Sequence, residues 1–123
     1  MDAEELKTRT KKFGLDVNKL VESLPATQTG KVIGNQLLRS ALSVGPNYRT
    51  ACRGRSKADF ISKVGITIEE ADESQHWLEM LGEAGLVPQD KLKPLANEAN
   101  ELVAILIASA KTARANLSNQ NRT

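Results

Sequence analysis

The sequence predicts an all-α fold, an antiparallel up-down-up-down four-helix bundle whose second helix is kinked near Pro46. Three observations predict it. Apolar residues recur at alternating spacings of three and four across four long windows. The breaks between those windows are short and carry helix-ending or helix-starting residues around Pro25, Gly54 and Gly85 to Asp90. Aromatic side chains are confined to Phe13, Tyr48, Phe60 and Trp77, so the interior must be built from Leu, Ile, Val and Ala, which suits closely packed helices. Short connections make consecutive helices antiparallel neighbours.

In the first window, Leu6, Thr10, Phe13, Val17, Leu20 and Leu24 form one stripe that Pro25 ends, with Gly14 costing about 1 kcal/mol relative to Ala. Ala26 to Gly30 is a polar connection. The second helix starts near Thr29 or Lys31 and carries Ile33, Leu37, Ala41, Val44, Tyr48 and Ala51, widened by Leu38, Leu42 and Cys52. Gly45-Pro46 interrupts it, because an internal proline removes a backbone hydrogen bond and crowds the preceding turn. The periodicity resumes beyond it, which predicts one kinked helix rather than two.

Ser56, with Asp59 three residues on, reads as the N-cap and capping-box pair of a third helix. Its inner stripe is Ile61, Val64, Ile68, Ala71, Gln75, Leu78 and Leu81 or Gly82, and Gly85 stops it. Pro88-Gln89-Asp90 opens a fourth helix lined by Leu92, Leu95, Ala99, Leu102, Leu106, Ala110 and Ala113. Residues 1–116 are read as a single domain. Residues 117–123, rich in Asn, Ser and Gln, have nothing to bury and read as a flexible C-terminal tail.

A chain of 123 residues suits one core, and its net charge of +2 is short of what a compulsory polyanion binder carries. Cys52 is the single cysteine, which excludes an internal disulfide and a four-cysteine zinc site and suits a reducing compartment. The N-terminus lacks the apolar run of a secretory signal, and no window reaches the roughly eighteen apolar residues of a membrane span. The expectation is a cytoplasmic protein without membrane contact. Ile66, Trp77 and Met80 lie off the main stripe of the third helix and suit either a broad core or a self-association surface, hence a homo-oligomer.

Charge divides at Val64. Lys31, Arg39, Arg49, Arg53, Arg55, Lys57 and Lys63 precede it with only Asp59 opposed, whereas Glu69, Glu70, Asp72, Glu73, Glu79 and Glu83 follow without a basic residue. If helices two and three fold back about Arg55, matched heights put Arg39 near Glu70 or Glu73 as a structural ion pair, and Arg49 near Asp59 or Lys63. Glu73 and His76 make an E-x-x-H pair, but a di-iron site needs a second such pair, and His76 is the chain's single histidine. No metal, no cofactor and no catalytic residue is expected, since the Ser and Cys candidates lack a base and no glycine-rich phosphate loop is present. Arg49, Arg53, Arg55, Lys57 and Lys63 gather at the turn, with Lys7, Arg9, Lys11 and Lys12 on helix one. Such a cluster is either a solvated face or a nucleic-acid-binding surface for RNA or DNA phosphates.

The runs QLLRSALSVGPNYRTA from Gln36, SKADFISKVGITIEEADES from Ser56 and WLEML from Trp77 carry a family likeness, with Arg39, Ser43, Asn47 and Tyr48 as its most specific residues. The chain resembles the bacterial four-helix-bundle proteins encoded in intervening sequences of large-subunit ribosomal RNA genes, a family that includes the accessory variability determinants of diversity-generating retroelements. The resemblance implies a homopentameric ring or barrel with basic surfaces suited to nucleic acid and a protein partner such as a reverse transcriptase. It does not imply catalysis. The expected function is a non-enzymatic oligomeric accessory protein that binds nucleic acid; the alternative is a structural or protein-adaptor bundle that does not.

Overall fold

Helix caps divide the chain into four elements. The computed structural model describes residues 1–121, with side chains through residue 119. The elements are α1 (Ala3–Glu22), α2 (Gln28–Cys52), α3 (Lys57–Glu83) and α4 (Gln89–Asn121), and no strand occurs among the described residues. The Asp2 carboxylate accepts from the Glu5 amide at 2.8 Å to start α1. Thr27 does the same for α2 through the Gly30 amide at 3.0 Å, so that helix begins slightly ahead of the expected Thr29. Ser56 caps α3 through the Asp59 amide at 3.1 Å, and Asp59 accepts from the amide of Arg55, the residue before the cap, at 3.1 Å, a variant of the capping box.

Gly85 ends α3 in the left-handed region at φ 72°, which a side chain would strain. The Leu86 amide returns to the Leu81 carbonyl and the Gly85 amide to that of Gly82, satisfying two terminal acceptors in a Schellman motif. α2 is one helix through Pro46. Side chains supplement the backbone there: Ser43 Oγ donates to the Arg39 carbonyl at 2.6 Å, Asn47 Nδ2 to Ser43 at 2.8 Å and Thr50 Oγ1 to Pro46 at 3.0 Å.

The core contains the inward stripes of all four helices, among them Phe13, Val17, Leu37, Val44, Val64, Leu78, Leu102 and Leu106. Four hydroxyl residues, Thr10, Ser40, Thr67 and Ser74, are buried with them. Each is neutralised by a hydrogen bond to its own helix, and Ser74 Oγ also donates to Ser40 Oγ at 3.0 Å, joining α2 to α3. Leu42 departs from the expectation that it widens the core, being 44% exposed.

Small residues bring α1 and α2 together. Gly14 faces Ala41 and Leu42, Gly45 faces Thr10 and Lys11, and Gly34 faces Val21 and Leu24, so later positions on α2 meet earlier positions on α1. Arg9 closes α1 onto α4 by a fork on Glu98, with Nε and Nη2 at 2.7 and 2.6 Å from its two oxygens and Glu101 at 3.2 Å. α4 exceeds its expected length: the segment read as a tail from Leu117 continues the helix to Asn121, and Arg122 and Thr123 lie outside the described residues.

Candidate nucleic-acid interface

Because α1 and α2 approach through glycine, their outward faces form a shallow groove of about 730 Å³. Lys7 and Lys11 stand one helical turn apart on the α1 side. Arg49 and Arg53 stand one turn apart on the α2 side, with Thr8 and Thr50 beside them and Leu15, Leu42 and Pro46 extending the wall. Lys7 is paired with Glu4 at 3.0 Å. Lys11, Arg49 and Arg53 have no carboxylate within ion-pair distance among the described residues, so their charge is open to a ligand.

The structure divides the basic residues named from sequence. Arg49 and Arg53 lie in this groove, and Arg49 does not approach Asp59 as its height suggested. Arg55 is exposed at the turn, and Lys57 begins α3. Lys63 is engaged with the Asp59 carboxylate at 3.1 Å. That hydrogen bond, with the Arg55 amide second, holds Asp59 below the usual carboxylate range. Of the helix-one residues, Lys7 and Lys11 reach the groove, while Arg9 is taken by α4 and Lys12 by Asp16 at 2.7 Å. Hydrogen bonding to Glu98 raises the Arg9 guanidinium further, and hydrogen bonding to Asp16 raises Lys12.

Two basic residues escaped the sequence reading. The cleft shared by Lys57, Phe60, Thr112, Ala113 and Asn116 sets that stretch of α4 beside the start of α3. Lys111 and Arg114, both exposed, therefore belong to the same end of the molecule as the turn. Both residues are visible in the sequence, but their place at this end follows from how α4 lies against α3, which no local pattern carries.

Arg39 sits on the opposite half of the α2–α3 face. Its guanidinium hydrogen-bonds Glu73 and lies 3.6 Å from Glu70 Oε2. That oxygen is buried and accepts no hydrogen bond, so the contact is electrostatic only. Trp77 Nε1 donates to Glu73 at 3.4 Å, and the His76 ring meets Trp77 edge-on with centroids 4.8 Å apart. No group of three metal-ligating side chains occurs among the described residues. Burial pushes the Tyr48 phenol well above its usual range, with Cys52 adding to the shift, so Tyr48 stays neutral.

The model of the 23S rRNA-intervening sequence protein family matches residues 4–108, which covers α1 to α3 and most of α4. The chain belongs to this family. A solved structure from Bacteroides thetaiotaomicron, a protein of unknown function from the S23 ribosomal protein family, is 32% identical, covers 90% of this chain and 99% of its own, and superposes with a TM-score of 0.83. No curated protein matches the sequence significantly. Membership of the 23S rRNA-intervening sequence protein family accords with the four-helix fold. No described helix is long and apolar enough to cross a membrane.

Proposed function

We propose that this protein is a non-enzymatic, oligomeric accessory protein that binds nucleic acid through the basic surface formed by α1, α2 and the α2–α3 turn. The observation carrying this reading is the groove itself: Lys7 and Lys11 line its α1 wall and Arg49 and Arg53 its α2 wall, Glu4 is the one carboxylate in the lining, and three of these four cations have no carboxylate partner among the described residues. Arg55 and Lys57 continue the surface around the turn. Held cations release counterions from a phosphate backbone, so binding has to weaken steeply with salt.

The assembly in this reading is a homo-oligomer, a pentamer by family resemblance, which multiplies the surface without any new contact. A reverse transcriptase is the protein partner that the same resemblance suggests. The test is RNA and DNA binding by the wild type and by an Arg53→Glu, Arg55→Glu variant across a salt series. Loss of binding with both supports the reading, and indifference to both overturns it.

One observation favours the second reading, a structural or adaptor bundle. Ile66, Glu70, Glu73, Trp77 and Met80 follow each other on one side of α3, and Ile66 is 46% exposed. Arg39 and Glu73 place that side next to α2, where Val32 is 56% exposed. Ile66→Glu that dissolves an oligomer while nucleic acid is never retained would favour the adaptor.

A further inference from the structure

We infer that the α1–α2 groove takes the phosphate backbone of a double helix, RNA or DNA, in preference to a single strand, and does so without reading sequence. The inference rests on the nucleic-acid reading above and narrows its ligand. Proteins that prefer single strands stack successive bases on exposed aromatic rings. No residue lining this groove is aromatic. The nearby rings are withdrawn from it: Tyr48 is 3% exposed, Phe13 is 1% exposed, and Trp77 is held beside Glu73 on the acidic half. A base entering the groove would meet the Lys7 and Lys11 ammonium groups, the Arg49 and Arg53 guanidinium groups, the Glu4 carboxylate, hydroxyls and aliphatic carbons, with no aromatic ring to lie on.

What the groove offers is charge at fixed spacing. Lys7 and Lys11 lie about 6 Å apart along the α1 axis, and Arg53, the residue that caps α2, follows Arg49 at the end of that helix. A strand laid between the two rows meets cations on both sides through its phosphates. Its bases turn outward, where they are free to stay paired. Duplex DNA carries one charge per about 1.7 Å of axis against about 3.4 Å for each strand, so a phosphate-only site gains more from the duplex.

The salt response gives this a quantitative form. Four phosphate contacts imply slopes of about −3.6 on a duplex and about −2.8 on a single strand in log affinity against log salt. Between 50 and 200 mM salt the duplex should then lose about 150-fold in affinity and the single strand about 50-fold. The duplex preference therefore grows about threefold as salt falls over that range. A site held by base stacking with few phosphate contacts would show shallow slopes on both forms.

Fluorescence anisotropy with one labelled twenty-nucleotide sequence tests this, offered as duplex RNA, duplex DNA and single strands, at both salt concentrations and again with the sequence scrambled. The expected result is tighter duplex binding, a preference that widens at low salt, no effect of scrambling, and loss of the preference in a Lys11→Glu, Arg49→Glu variant whose helical spectrum is unchanged. Single strands bound as tightly as duplex, or a scrambling effect, overturn the inference while leaving nucleic-acid binding in place. Failure to bind any of the three overturns the binding reading and the inference together. Duplex binding that survives Lys11→Glu, Arg49→Glu assigns the ligand to another surface and overturns the inference for this groove.

Discussion

Gly45 packs against the backbone of Lys11: a methyl carried at position 45 would stand 3.6 Å from both the Lys11 Cα and its amide nitrogen, ordinary van der Waals contact. The interhelical space therefore tolerates alanine here. The demand for glycine comes from Pro46, whose ring crowds the Cβ of the preceding residue when that residue is helical. The same contact sets the two rows of cations on opposite sides of a narrow groove.

A sign reversal follows. Gly45→Ala should lower stability in the wild-type background, because the clash with the proline ring outweighs the gain in helix propensity. In a Pro46→Ala background the same change should raise it by about 0.5–1 kcal/mol, the ordinary helix-propensity gain. Urea unfolding of the four proteins measures both, and equal effects in the two backgrounds would contradict the local explanation.

Gly14 behaves differently, because a methyl there would meet Leu42 Cδ2 at 3.1 Å and the Ala41 carbonyl at 3.3 Å. Gly14→Val should destabilise by about 1–3 kcal/mol through overpacking and should weaken nucleic-acid binding by separating the helices. Calorimetry and anisotropy on the one variant check both effects.

The Arg9 fork on Glu98 spans α1 to α4 with both side chains about a quarter exposed. A double-mutant cycle with Arg9→Met and Glu98→Gln should return a coupling of about 1 kcal/mol, reduced by salt because the pair is partly solvated. A coupling near zero would mean that helix packing alone closes the bundle.

Asp59 links stability to binding with opposite signs. Its folded carboxyl titrates below the ordinary aspartate range because Lys63 and the Arg55 amide hold its charge. It therefore contributes stability above its unfolded pKa, and that contribution is lost as pH falls through the folded value, below about pH 4. Asp59→Asn should be less stable than wild type at neutral pH, with the gap closing in acid. It should also bind nucleic acid more tightly, since the one carboxylate between Arg55 and Lys63 is gone. Thermal melts over pH and anisotropy at pH 7 read the two effects.

The helices were legible in the sequence because each signal is local. The Leu6 to Leu20 stripe, the Ser56–Asp59 cap and the Gly85 stop depend on neighbours within one or two turns. The Arg39 contact could be placed by matching heights across a single short turn. The groove could not, because it depends on how α1 meets α2, and no local signal encodes the register that sets Lys11 against Gly45. Thr67 and Ser74 escaped because a hydroxyl bonded to its own helix buries like an apolar group, which a hydrophobic pattern does not register. In sequence Arg9 reads as a surface cation, since its partner Glu98 lies on another helix, 89 residues away.

The central claim is that phosphates are held by Lys7, Lys11, Arg49 and Arg53 acting together. The most direct measurement is the salt slope of duplex binding for the wild type and for Arg49→Gln, Arg53→Gln. Removing two of four phosphate contacts should flatten the duplex slope by about 1.8. An unchanged slope, with affinity retained, would contradict the account.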